Sequence, residues 1–226
     1  MTRIKICGLT ALDNALACAE AGADLLGFNF YPRSPRYVTP DAAREITHGL
    51  RAALGERCPL LVGVFVNAPA DMIAATLAAA GLDAAQLSGD EPPDTLRALH
   101  GRAFKALRPR DPADAGEQAA LYRTDAPRDE RLPALLVDAY HPALYGGTGE
   151  SASVEVAQAV MARVPRLMLA GGLAPGNVGE RVRAVRPWGV DVASGVENGT
   201  PGVKDLTRVR AFIAAVRAVD AAGEAV

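Results

Sequence analysis

Short apolar runs alternate with longer amphipathic stretches from one end of the chain to the other. Runs rich in Val, Ile, Leu and Phe at 3–7, 24–30, 60–66, 84–87, 103–107, 134–138, 166–170 and 190–194 predict eight strands. Each is followed by helical periodicity, roughly at 10–22, 40–54, 69–81, 92–101, 112–122, 151–163, 175–185 and 204–218, with Pro175 in a first turn and Asp205 near a start. Strand–helix alternation implies a parallel sheet, because parallel neighbours need a crossover between them. Eight such units in 226 residues fit a closed (β/α)8 TIM barrel, an α/β fold expected to form a single catalytic domain over 1–226. The competing open, doubly wound sheet would carry Gly-x-Gly-x-x-Gly after its first strand, and Cys7-Gly8-Leu9-Thr10 stands there instead. The least regular stretch, 108–132, holds Pro109, Pro112 and Pro127 among many charges and reads as a ragged fifth unit.

A barrel of this kind builds its active site from the C-terminal ends of its strands and the loops beyond them. Reading those ends in order gives Cys7; Asn29, with Arg36 in the next loop; Asn67; Gln86 with Ser88; Arg108; Asp138; Gly171 and Gly172; and Asp191 with Ser194. Alternation along the first strand sets Ile4 and Ile6 toward the helices and points Lys5 and Cys7 into the barrel. There the ammonium would lower the thiol pKa and favour a thiolate. The alternative is that Cys7 is a small buried apolar side chain. A buried Lys5 needs a partner. Asp191, which interrupts an apolar run on the strand that closes against the first, is expected to supply it, as a structural pair or in contact with ligand.

Asp138 ends an otherwise apolar run, where a carboxyl group facing a partly dry cavity can serve as a general acid. His141, three residues on, competes for that role. Gly171-Gly172 and Ser194-Gly195 are turns on adjacent loops whose N–H groups can approach an anion closely, which points to a small phosphorylated ligand. Gly146–Gly149 forms either a lid or a plain mobile loop.

Composition narrows the field further. With 24 Lys+Arg against 26 Asp+Glu and a net charge of −2, the chain lacks the clustered basic excess that nucleic acid requires. Arg outnumbers Lys 21 to 3, which reads as genomic bias. No run reaches the about 18 apolar residues of a membrane helix, and no basic region with an apolar core opens the chain, so a cytoplasmic protein without membrane contact is expected. The three cysteines form no CxxC pair and the three histidines show no ligand spacing, so neither disulfide nor metal is expected.

Together, several motifs resemble the phosphoribosylanthranilate isomerase family. They are Lys5-Ile6-Cys7-Gly8-Leu9, Gly27-Phe28-x-Phe30-Tyr31 with Ser34-x-Arg36-x-Val38, Val62-Gly63-Val64-Phe65-Val66-Asn67, Gln86-Leu87, Gly146–Gly149, Ala170-Gly171-Gly172-Leu173 and Asp191-Val192-Ala193-Ser194-Gly195-Val196-Glu197. The resemblance implies an Amadori rearrangement of N-(5-phosphoribosyl)anthranilate in tryptophan biosynthesis, without a cofactor; separately, a monomer or homodimer is expected. It assigns the general base to Cys7 and the general acid to Asp138. Arg36 would bind the anthranilate carboxylate; Gln86, Gly171, Gly172, Asp191, Ser194 and Gly195 would complete the substrate site. Where the family usually has His-Gly after Gln86-Leu87, this chain has Ser88-Gly89. The related isomerase of histidine biosynthesis uses two aspartates and would need a carboxylate at position 7. A barrel that binds phosphosugars without turnover is the non-enzymatic rival.

Overall fold

A computed structural model describes residues 1–138 and 153–223. The strands are β1 (Arg3–Cys7), β2 (Leu25–Asn29), β3 (Leu60–Phe65), β4 (Ala84–Leu87), β5 (Ala103–Leu107), β6 (Leu135–Val137), β7 (Leu167–Leu169) and β8 (Gly189–Val192). All pair in parallel with their sequence neighbours, and β8 returns to β1 to close the barrel. The helices are α1 (Leu12–Glu20), α2 (Pro40–Leu54), α3 (Ala70–Ala79), α4 (Pro93–Ala98), α5 (Pro112–Tyr122), α6 (Val154–Met161), α7 (Val178–Val185) and α8 (Leu206–Gly223).

Local chemistry sets the helix starts. Thr39, Asp111 and Ser153 accept backbone N–H groups at the starts of α2, α5 and α6, while Pro40, Pro93 and Pro112 occupy first helical positions. Asp205 Oδ1 takes the N–H groups of Thr207 and Arg208 and so caps α8, and the ragged fifth unit contains the helix over 112–122 that its sequence predicts. Three helix bounds need correction. α8 runs on to Gly223 rather than ending at 218. α7 begins at Val178 rather than in the turn that holds Pro175, because the Asn177 side chain folds back to accept from Ala174 N–H and to donate to Gly172 O. α4 stops at Ala98 rather than 101, since His100 and Gly101 both adopt positive φ and Arg102 N–H returns to Leu99 O. Strand ends differ by a residue or two where the ladder continues on one side alone; Asp138 N–H, just beyond β6, still donates to Leu107 O.

Two apolar clusters follow from the alternation. One lies between strands and helices and includes Ile4, Ile6, Phe212 and Val216, so the β1 isoleucines do face outward. The other plugs the barrel interior with Leu25, Val62, Ala84, Phe104, Leu136 and Met168. Pairing registers link these inward positions around the ring: Lys5 lies opposite Leu25 and Asp191, Val64 opposite Gln86, and Gln86 opposite Phe104. Moving two residues along β1 and β6 from this plug keeps to the same face and reaches Cys7 and Asp138 at the C-terminal mouth. Among the described residues, no helix is long and apolar enough to cross a membrane.

Candidate active site

The mouth holds a cavity of about 200 Å³, bordered by Cys7, Arg36, Gln86, Ser88, Asp138 and Asp191. It adjoins a smaller hollow of about 60 Å³ bordered by Gly171, Gly172, Ser194 and again Asp138 and Asp191. Of the described mouth residues expected from the sequence, Cys7, Asn29, Arg36, Gln86, Ser88, Asp138, Gly171, Gly172, Asp191 and Ser194 border one of these two adjoining spaces, whereas Asn67, Arg108 and Gly195 border neither. His141 and Gly146–Gly149 lie outside the described residues.

Lys5 is fully buried and donates to Asp191 Oδ1 at 3.0 Å, the pair expected from strand closure. The ammonium also lies beside the thiol: a Cβ added at Gly27 would stand 2.8 Å from Cys7 Sγ and 3.1 Å from Lys5 Nζ, so glycine there makes room for both groups. Burial works against the Lys5 charge, yet Asp191 and the neighbouring sulfur raise its pKa above the ordinary value. For Cys7 the balance corrects the expectation. Burial, with help from the Asp191 charge, raises the thiol pKa, and the Lys5 ammonium only partly counters it. Cys7 is both a buried side chain and a cavity group, and its thiol stays protonated at neutral pH more readily than a free cysteine's. Cys18 is buried in the outer apolar core, and Cys58 is half-buried against it.

Arg36 is held by a loop that folds back on β2. Tyr31 N–H donates to Asn29 Oδ1, Arg36 N–H to Ser34 Oγ, and Val38 N–H to Asn29 O. Its guanidinium crosses Gly8, where a Cβ would lie 2.4 Å from Arg36 Cδ; Gly8 also has φ +76°, so glycine is required twice over. Arg36 Nε and Nη2 each donate at 2.7 Å to the two Glu197 oxygens, a bidentate fork. Glu197 Oε1 also accepts from Lys204 Nζ and Gly202 N–H, both at 2.9 Å. Burial opposes the carboxylate charge, but these donors hold its pKa down at about 2.

Gln86 Nε2 donates to Ser88 Oγ at 3.1 Å, so the serine serves as a partner for the glutamine amide. Gln86 Oε1 is buried and has no partner among the described residues. On the side of the smaller hollow, Gly171 and Gly172 have φ of +84° and +56°, and Ser194 opens a 3₁₀ turn over Ser194–Val196. Gly195 packs against the Leu173 carbonyl, where a Cβ would come within 1.9 Å of the oxygen, so its contribution is to hold the two loops together.

The loop after β4 is fixed by a buried pair that no spacing in the chain announces. Lys105 Nζ reaches Glu91 Oε2 at 3.0 Å and the carbonyls of Leu87 and Gly89, while Glu91 Oε1 accepts from Asn67 and Gly89 N–H. With it, a signal emerges from the Arg-over-Lys bias. All three lysines of the chain, Lys5, Lys105 and Lys204, are buried, and each is paired with a carboxylate at the C-terminal half of the barrel. A compact ammonium fits where a guanidinium fork does not. Among the described residues, no cluster of three or more His, Cys, Asp or Glu is arranged to hold a metal ion.

The family model of N-(5'-phosphoribosyl)anthranilate (PRA) isomerase matches residues 4–215. The enzyme of that name from Geobacter sulfurreducens is 46% identical over 213 residues, covering 94% of this chain and 97% of the relative. That from Myxococcus xanthus is 43% identical over 218 residues, covering 96% and 97%. Among solved structures, phosphoribosyl anthranilate isomerase from Thermotoga maritima superposes with a TM-score of 0.83 at 35% identity, covering 96% of this chain and 100% of that one. Another, in complex with reduced 1-(o-carboxyphenylamino)-1-deoxyribulose 5-phosphate, gives 0.80 at 34% identity, covering 96% and 100%. Barrel, mouth and whole-length similarity agree, and the chain belongs to the N-(5'-phosphoribosyl)anthranilate isomerase family.

Proposed function

We propose that this chain isomerises N-(5'-phosphoribosyl)anthranilate to 1-(2-carboxyphenylamino)-1-deoxyribulose 5-phosphate, a step of tryptophan biosynthesis, with Cys7 as general base and Asp138 as general acid. The observation that carries the reading is that Cys7, Asp138 and Arg36 border one cavity and that Asp138 also borders the hollow of the glycine turns. A phosphate in the smaller hollow would meet the loop N–H groups of Gly171, Gly172, Ser194 and Gly195. The anthranilate carboxylate would then lie toward Arg36 and the ribose between them, within reach of Gln86, Asp138 and Asp191. Proton donation by Asp138 to the ring oxygen opens the furanose to a Schiff base. That base acidifies C2–H, which Cys7 removes, and the resulting enolamine tautomerises to the ketone. C2 is oxidised and C1 reduced within the one molecule by proton transfer alone, so this route consumes no external oxidant or reductant and needs no cofactor. We further propose a single catalytic domain working in the cytoplasm as a monomer or homodimer, since each residue invoked comes from one chain.

Loss of substrate arylamine fluorescence with purified protein tests the proposal; folded protein without turnover would reject it. Arg36→Ala is expected to raise KM by about 10-fold or more, since a lost charged hydrogen bond costs about 1.5–3 kcal/mol, with kcat changed no more than about threefold. An unchanged KM would remove Arg36 from the site.

Lys5→Met tests the tuning of the base. The ammonium pulls the thiol pKa down against burial, so its removal lets that pKa rise further. The acid limb of the kcat/KM profile should move to higher pH, and activity at pH 7 should fall with the thiolate fraction. Stability will fall too, by about 3–5 kcal/mol, because Asp191 is left unpaired. The position of the limb separates the two effects; a profile that keeps its wild-type midpoint would show that Lys5 is only structural.

A further inference from the structure

We propose that Glu197 and Lys204 are positioning residues for substrate carboxylate recognition. They grip Arg36 by one edge of its guanidinium and leave the other edge to the cavity. The inference rests on the reading above that Arg36 binds the anthranilate carboxylate.

A guanidinium offers two edges suited to a carboxylate: a side edge made by Nε and one terminal nitrogen, and an end edge made by the two terminal nitrogens. Glu197 takes the side edge through Nε and Nη2. No described residue bonds Nη1, and Arg36 borders the cavity. One arginine can therefore serve two carboxylates, one from the protein and one from the ligand. This resolves an apparent conflict, since an arginine already forked to glutamate would otherwise be spent.

The arrangement has an electrostatic cost that Lys204 offsets. Glu197 alone would cancel the Arg36 charge and repel an incoming anion. Lys204, buried and bonded to Glu197 Oε1 and to Ala193 O, returns the trio to a net charge of +1. The geometry is built into the backbone as well. Glu197 and Lys204 form an isolated antiparallel bridge, Gly202 N–H donates to the same carboxylate, and Arg208 Nη1 donates to Glu197 O. Four donors on a carboxylate that is 5% exposed fix where the fork points.

A double-mutant cycle on the full chain tests this, with N-(5'-phosphoribosyl)anthranilate as substrate. Glu197→Gln and Lys204→Met should each raise KM by about tenfold; Glu197→Gln should leave kcat within about threefold, whereas Lys204→Met also removes a charge that holds the Cys7 thiol pKa down and so lowers kcat as well. In an Arg36→Ala background the same substitutions should change KM by less than about twofold, since their effect on KM runs through that side chain. If Glu197→Gln does not fold, Glu197→Asp takes its place: the shortened carboxylate keeps its charge but not its reach, and the same KM rise is expected. Equal KM increases with and without Arg36, or no increase in its presence, would overturn the proposal while leaving Arg36 as the carboxylate site. If Arg36→Ala itself spares KM, the underlying reading fails and the inference falls with it.

Discussion

Cys7→Ala is expected to lower kcat by about 10²–10⁴-fold, the usual contribution of a general base, with KM moved only a few-fold. The pH profile adds a signature that a packing residue cannot produce. A protonated thiol accepts no proton, so kcat/KM should rise with pH as the thiolate forms. Burial holds that thiol above its ordinary pKa of 9.0, and the climb should therefore continue into that range rather than level off below it. The small thiolate population is offset in part by its greater basicity, since a weaker acid leaves a stronger base. In Cys7→Ala the residual rate should lose this dependence. Were Cys7 only core, its removal would cost roughly 1 kcal/mol of stability and spare kcat. A stable variant with wild-type turnover would overturn the base assignment.

Much of this architecture was legible because it rests on period. Residues two apart share a strand face, so Lys5 with Cys7 follows from β1 alone, and closure of β8 on β1 brings Asp191 to Lys5. What period does not carry is contact made by loops. Glu91 meets Lys105 across the β4 loop, and Arg36 meets Glu197 from opposite ends of the chain, through side chains whose direction is set by turns rather than by alternation. The sign of the Cys7 shift was hidden for a related reason. Sequence shows a neighbouring charge, but not the depth of burial that outweighs it. The start of α7 was misplaced because Asn177 stitches its own loop instead of capping the helix, a choice made by the Gly172 turn.

Asp138→Asn is expected to match the loss at Cys7, about 10²–10⁴-fold in kcat with KM moved only a few-fold, but through a different step. Asp138 follows β6 and is separated from β1 by β7 and β8 on one side of the ring and by β2–β5 on the other. It borders both hollows, which suits a group that addresses the sugar between a phosphate and an arylamine. Asparagine keeps the shape and can donate a hydrogen bond, yet it cannot release a proton to the ring oxygen. The double variant then tells whether the two groups serve separate steps. An acid catalyst speeds ring opening without changing the equilibrium between ring and Schiff base, so the slower of two impaired steps governs the rate. Cys7→Ala with Asp138→Asn should run close to the slower single variant, far above the product of the two losses. Losses that multiply would mean both groups act in one transition state, and a folded Asp138→Asn protein with undiminished kcat would remove the acid role altogether.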